Sequence, residues 1–374
     1  MLLSNTAKLL RELIALPSVN PALLPGNSSL TGEKRVADFL AATAGKAGFD
    51  IDFQDVSADR SNLLIRCQPK GKVRQRIFLA PHMDTVGGAE ASLFSPRLVD
   101  GRLYGRGACD TKGSIAVMLT ALMELTPRSH TEITLAALVD EEYLQAGSRA
   151  LAASRPQANL AIVGEPTKLK VVTAHKGAVW LTLQTRGKAA HGARPELGRN
   201  AVYDMANIVR LIQTQYARKY LRKRHALLGP GTINVGAIRG GNQPNIVPDE
   251  CTCLIDRRTL PGETDSSVIR ELKTLLATNH LNANITKIQK VPCPPLHNSP
   301  DVPLVRAFLA AAHQSAPHSV DFFSDAAVLS RGGIPSVLFG PGDIAQAHKP
   351  DEWVELDQLD RAKAILLRFL QSLP

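Results

Sequence analysis

The chain has 374 residues, 44% hydrophobic and 21% charged, with 44 Lys and Arg against 34 Asp and Glu for a formal net charge of +10. That length predicts two domains, each large enough to bury its own core, and the composition excludes a disordered or fibrous chain. No run approaches the roughly 18 continuous apolar residues of a membrane span, and the charge alone does not choose between nucleic acid, anionic substrates and a solvated surface.

Between Met1 and Asn20, Leu2, Leu3, Leu9, Leu10, Leu13 and Ile14 are interrupted by Lys8, Arg11 and Glu12. This predicts an amphipathic helix ending near Pro17, not a signal peptide, so a cytoplasmic protein is expected. Residues 77–80 read as a buried strand, 115–125 as a helix, and 133–139 and 160–163 as two more strands, the alternation of a parallel α/β sheet. From about Lys176 the pattern changes. Val179, Leu181 and Leu183 alternate with Trp180, Thr182 and Gln184, a strand with two different faces. A helix over 200–216, strands over 232–238 and 250–258, a helix over 264–276 and a strand over 284–291 follow. That β-α-β-β-α-β order predicts a ferredoxin-like domain inserted into the first. The α/β pattern then returns, with a helix near 302–312 and a strand at 335–339.

Two features carry little function. The basic cluster Arg218, Lys219, Arg222, Lys223 and Arg224 has no aromatic platform or zinc-finger spacing beside it, so it reads as a solvated face and no nucleic acid is expected. The five cysteines, Cys67, Cys109, Cys251, Cys253 and Cys293, are scattered without a disulfide framework, which fits a reducing compartment.

Chemistry concentrates after four apolar runs. The first leads into Pro81-His82-Met83-Asp84, the second into Asp140-Glu141-Glu142, the third into Gly164-Glu165, and the fourth through Gly340-Pro341-Gly342 to His348. In an open parallel sheet, ligands collect beyond the carboxyl ends of the strands. So many carboxylates in one crevice repel severely without a cation, and a metal site is the economical explanation. Taken singly, each residue has an ordinary reading: His82 in a core, Glu141-Glu142 at a solvated strand end, Asp110 as a helix N-cap. Asp84, two residues from His82, is suitably spaced to take the second ring N–H of a ligating imidazole. Adjacent Glu141 and Glu142 point in different directions, so one can bind metal while the other handles a proton. The glycine-rich turn at 105–113 lacks phosphate-loop spacing.

Together these residues resemble the dimetal zinc amidohydrolases and exopeptidases that include acetylornithine deacetylase, succinyl-diaminopimelate desuccinylase, aminoacylase and glutamate carboxypeptidase. The matching positions run from His82 to His348 in the family's order. The resemblance implies two zinc ions, replaceable by cobalt: His82, Asp110 and Glu165 on one, Asp110, Glu142 and His348 on the other. It implies Glu141 as general base, Asp84 as support and a cis peptide after Asp110. The stretch 187–192 resembles the family's lid histidine motif, which implies that His191 serves the active site of a partner subunit. Asn245 and Arg258 resemble substrate-carboxylate elements, although Arg257 stands beside Arg258 and the choice between them stays open. Period-two counting puts Arg258 on the side of Asp256 and Leu254, opposite Cys251, Cys253 and Ile255.

The expected fold is therefore α/β. A mainly parallel-sheet catalytic domain, residues 1–175 and 292–374 with helices on both faces, is interrupted by a ferredoxin-like lid and dimerisation domain at 176–291. The expected activity is hydrolysis of the amide bond of an N-acyl amino acid by a homodimer. The stretch 340–352 looks closest to acetylornithine deacetylases. Succinyl-diaminopimelate desuccinylase, a carboxypeptidase or dipeptidase of the same family, and a metal-free binding protein are the alternatives.

Overall fold

Ser4 opens the first helix, its hydroxyl accepting the Ala7 N–H, and the helix stops before Pro17, which cannot continue it. The computed structural model describes residues 3–26, 29–88 and 90–374; Met1 and Leu2, the start of the predicted N-terminal helix, lie outside the described residues. In chain order the helices are α1 Asn5–Ile14, α2 Lys34–Lys46, α3 Lys112–Glu124, α4 Ala146–Ala153, α5 Ala201–Leu211, α6 Ala217–Arg222, α7 Asp265–Thr278, α8 Pro303–Ala311, α9 Asp325–Arg331 and α10 Leu356–Ser372. The strands used below are β1 Asp50–Ser57, β2 Arg60–Cys67, β3 Gln75–Pro81, β4 Thr131–Ala137, β5 Leu160–Gly164, β6 Val172–His175, β7 Gly177–Arg186, β8 Thr232–Gly240, β9 Glu250–Thr259, β10 Asn284–Lys287 and β11 Ser336–Leu338. The chain divides into two compact units, one of Met1–Thr173, Asn298–His318 and Ser324–Pro374, the other of Ala174–His297 and Ser319–Phe323.

The first unit is built on a mixed sheet in the order β1-β2-β4-β3-β5-β11-β6. Its centre, β4-β3-β5-β11, is parallel, and β1, β2 and β6 join antiparallel. Ile77 faces Ile133, and Leu79 faces Leu135 on one side and Ile162 on the other, all buried. Such runs are apolar on both faces because central parallel strands are covered on both. Helix α3 is buried from Lys112 to Leu122 and packs against α1 and α10, while α4 and α9 pack together. From β3 the chain moves to β4 on one side and then to β5 on the other. The strand order therefore reverses beside β3, and at such a switch point the outgoing loops separate and leave a crevice.

The second unit has the antiparallel order β8-β9-β7-β10 with βαββαβ connectivity. Asn200 caps α5, and Thr264 with Ser267 forms a capping box on α7. Val179, Leu181, Leu183, Cys251, Cys253 and Ile255 form the buried face with Met205, Ile208, Val268 and Leu272. Trp180 and Leu254 lie on the opposite, exposed face. The predicted strand at 284–291 is shorter: it ends at Lys287, after which the Gln289 side chain, not backbone, takes the Trp180 N–H. The predicted helix at 200–216 continues through a π turn, Ile212–Tyr216, into α6. All five cysteines are buried, and among the described residues no helix is long and apolar enough to cross a membrane.

Candidate metal centre

Four of the five predicted ligands, His82, Glu142, Glu165 and His348, lie at the carboxyl ends of central strands or in the loops beyond them, and Asp110 lies in the turn that leads into α3. His82 directly follows β3 and is buried. Its Nδ1 lies 2.9 Å from the Asp84 carbonyl and 3.5 Å from the Asp84 carboxylate. The ring is thereby oriented so that Nε2 meets Asp110 Oδ1 at 3.1 Å. The other Asp110 oxygen, Oδ2, lies 3.3 Å from His348 Nε2, which is also 3.3 Å from Glu142 Oε2. One carboxylate thus presents an oxygen to each of two imidazoles. The ligand atoms of His82, Asp110 and Glu142 lie within 4.8 Å of one another, and Glu142 Oε1 is buried without a hydrogen-bond partner among the described residues. Glu165, at the end of β5, is buried within the electric field of Asp110, His82 and Glu142. The Asp110–Thr111 peptide is cis.

Asp84 does more than orient His82. Its carboxylate accepts the backbone N–H groups of Glu141 at 3.0 Å and Glu142 at 3.1 Å, and the Asn20 amide at 2.8 Å. Those bonds fix the loop carrying both acids. A second layer supports it: Asn20 also donates to Asp140, and Arg60 bridges Asp140 at 2.8 Å and Glu33 at 2.5 Å.

The electrostatics follow from crowding acids in an apolar crevice. Burial, with the charges of Glu165, Asp325 and Glu142 adding, pushes the Glu141 carboxyl well above the usual range. Burial and Asp110 push Glu142 to about 7, and burial and Asp110 likewise raise Glu165. Asp325, whose Oδ1 takes the Ser148 hydroxyl at 2.5 Å, is pushed by burial to about 7. Asp110 goes the other way: burial opposes its charge, but hydrogen bonds from His348 and His82 outweigh it. Hydrogen bonding to Asp110 and Glu142 raises His348 to about 10. Two imidazoles cannot neutralise Asp84, Asp110, Glu141, Glu142, Glu165 and Asp325. A set of imidazole nitrogens and carboxylate oxygens with one oxygen bare suits a borderline-soft divalent cation.

Sequence reasoning missed Glu352, Asp325, Asn20 and the Arg60–Glu33–Asp140 group. Glu352 sits inside the 340–352 stretch, yet its partners are mostly backbone N–H groups, which leave no trace in a pattern of side chains.

In the second unit His191 and Asn245 are brought together: both are exposed, and the Gly192 N–H donates to the Asn245 carbonyl at 2.8 Å. His191 Nδ1 accepts the Ala193 N–H at 3.1 Å, so its Nε2 carries the proton. Arg257 and Arg258 separate cleanly. Arg257 is buried on the cysteine face, with Nη2 on both oxygens of Glu263, at 3.0 and 2.9 Å, and its guanidinium 3.7 Å from the Tyr220 ring centre. Arg258 is on the opposite face, partly exposed, with Asp256 at 3.1 Å.

Comparison with known proteins bears on the family and the fold. The family model described as peptidase family M20/M25/M40 matches residues 78–372. Acetylornithine deacetylase of Myxococcus xanthus is 33% identical over 349 residues, covering 88% of this chain and 90% of the relative. That of Aliivibrio fischeri (strain ATCC 700601 / ES114) is 29% identical over 355 residues, covering 91% of each. Among solved structures, a Staphylococcus aureus tripeptidase shares the fold with a TM-score of 0.79 at 21% identity over 99% of each chain. A Bacillus subtilis protein described as a dinuclear metal-binding peptidase of the M20 family does so with a TM-score of 0.70 at 13% identity, covering 97% of this chain and 96% of its own.

Proposed function

The chain belongs to peptidase family M20/M25/M40, and on that premise we propose that it hydrolyses the amide bond of an N-acyl amino acid, with an acetylated basic amino acid such as acetylornithine as the first candidate. We assign the reaction to residues 1–175 and 292–374, and a lid and dimerisation role to 176–291. The observation that carries the reading is Asp110, whose two carboxylate oxygens face two different imidazoles.

His82, Asp110 and Glu165 would hold one zinc ion, and Asp110, Glu142 and His348 a second, with cobalt as a substitute. A bound pair of divalent cations polarises the amide carbonyl and makes a water nucleophilic near neutral pH. The remaining work falls to side chains. Glu141, held in place through its backbone by Asp84, takes a proton from the attacking water and returns it to the leaving nitrogen, so a carboxylic acid and an amine depart. The environment that raises its proton affinity also suits it to carry that proton. His191, exposed in its own chain, donates Nε2–H to the oxyanion in the active site of a second copy. Arg258 and Asn245 bind the substrate carboxylate, a reading supported over Arg257 because Nη2 of the buried Arg257 is engaged by both oxygens of Glu263.

The test is a panel of acetylornithine, other acetyl-amino acids, succinyl-diaminopimelate and dipeptides, run on protein stripped with a chelator and then reloaded with zinc or cobalt. Amine release that disappears on stripping and returns on reloading is expected, fastest with acetylornithine. A reloaded protein that cleaves none of them overturns the reading.

A further inference from the structure

Glu352 is four residues beyond His348, buried at 1% exposure, and surrounded by donors. Its Oε1 accepts the N–H groups of Cys109 and Asp110, both at 2.9 Å. Its Oε2 accepts the Gly107 N–H at 3.0 Å and Arg106 Nη1 at 2.8 Å. The same Arg106 nitrogen donates to the Lys349 carbonyl at 3.1 Å, and the Glu352 carbonyl accepts the Gly105 N–H at 2.9 Å. Two segments far apart in sequence are thus fastened face to face: 105–110, ending in the carboxylate shared by both imidazoles, and 348–352, beginning with one of those imidazoles. Both need holding from outside. Gly107 stands at φ +82°, where an added Cβ would meet Lys112 Cδ at 2.8 Å, and His348 has a left-handed φ of +64°.

We propose that Glu352, working with Arg106, is a positioning residue that sets the separation of Asp110 and His348 and thereby the affinity of the site for the cation held by Asp110, Glu142 and His348. The inference rests on the dimetal reading above. Only a carboxylate fits the position. Four N–H groups converge on two oxygens, and an amide in its place would turn an NH2 against two of them. Partners that orient ligands in this way commonly account for 10–100-fold in metal affinity. His82 and Glu165 leave other strands and do not touch the clamp, and Asp110 serves both ions, so the loss falls most heavily on the ion that also needs His348.

The experiment is a zinc titration of the full chain against a chromophoric chelator, on wild type, Glu352→Gln, Glu352→Asp and Arg106→Gln, each checked for folding by circular dichroism. Wild type is expected to bind two equivalents. Glu352→Gln is expected to keep one within about threefold and to hold the other at least tenfold more weakly, with kcat reduced and KM within about twofold. Glu352→Asp, which keeps the charge, is expected to recover part of that affinity. If Glu352→Gln does not fold, Arg106→Gln decides, because it removes the link to Lys349 and leaves the three N–H bonds in place; it too must weaken one equivalent selectively. Folded variants that bind both equivalents as wild type does overturn the proposal while leaving the dimetal reading intact. Wild-type protein that binds no zinc overturns both.

Discussion

Two sites, one in each unit, bury charge in opposite ways. In the second, Arg257 and Glu263 are a closed pair: the guanidinium faces both carboxylate oxygens, Glu263 also accepts the Leu260 N–H at 2.7 Å, and Lys223 adds a bond at 3.1 Å. In the first, six carboxylates crowd around two histidines: Glu141, Glu142, Glu165 and Asp325 are pushed up, while hydrogen bonds hold Asp84 and Asp110 down. A buried pair that completes itself needs nothing more from solution and reads as structural. A buried cluster left short of positive charge is suited to a cation, and that shortage marks it as the candidate functional site.

The largest effect should come from removing a charge that does chemistry and binds no metal. Glu141→Ala is expected to lower kcat by about 10³-fold, within the usual reach of a general base, while metal analysis still finds two equivalents. Full turnover in that variant removes Glu141 from the mechanism.

Next comes the closed pair. Glu263→Ala leaves Arg257 buried and uncompensated, which costs about 3–5 kcal/mol in denaturant unfolding. Glu142→Gln in metal-free protein is expected to be neutral or stabilising, because it removes one member of a repelling set. Equal losses in the two variants would erase the contrast between the units.

How far the sequence reaches follows the same division. Of the proposed ligands, His82, Glu142, Glu165 and His348 stood out because each follows an apolar run, and a strand's end marks where its side chains converge with others. Asp110, in the glycine-rich turn before α3, stood out only through the family resemblance. The burial of Arg257 was legible in principle, since alternation puts it on the side of Cys251, Cys253 and Ile255; what hid it was Glu263, a partner in the loop beyond the strand. Glu352 and Asn20 were not legible, because their work is to accept or donate bonds across sequence separations of 64 to 246 residues. Strand β1 escaped for another reason: it is an edge strand exposed along most of its length, so no buried stripe announces it.

A smaller effect separates the units by pH. His175 is fully buried, and burial holds its proton affinity down to about 4, with the Lys176 carbonyl on Nδ1 at 2.9 Å only partly compensating. The folded chain therefore keeps the ring neutral at pH values where the unfolded chain, titrating near 6.5, takes a proton. Stability from this residue is present above about pH 6.5 and is lost as the pH falls toward 4. Wild type should lose about 2 to 3 kcal/mol more than His175→Leu between pH 7 and pH 4.5, measured by urea unfolding at each pH. Parallel pH dependence in the two proteins would show that His175 does not set the acid limb.

The smallest predicted change is the most selective. Arg258 has Nε and Nη2 on Asp256, at 3.1 Å each, which leaves Nη1 on the open face of the sheet for a ligand. Arg258→Lys is expected to raise KM for an N-acyl amino acid about tenfold, or ~1.4 kcal/mol, with kcat within about threefold, because one charge-assisted bond is lost in ground and transition state alike. The corresponding N-acyl amino acid amide, which has no carboxylate, should show the same KM with both enzymes. Arg257→Lys, in contrast, should lower the unfolding midpoint and leave KM unchanged. If the amide distinguishes Arg258→Lys from wild type as strongly as the acid does, Arg258 is not reading a carboxylate, and the open face of the second unit has no claim on the substrate.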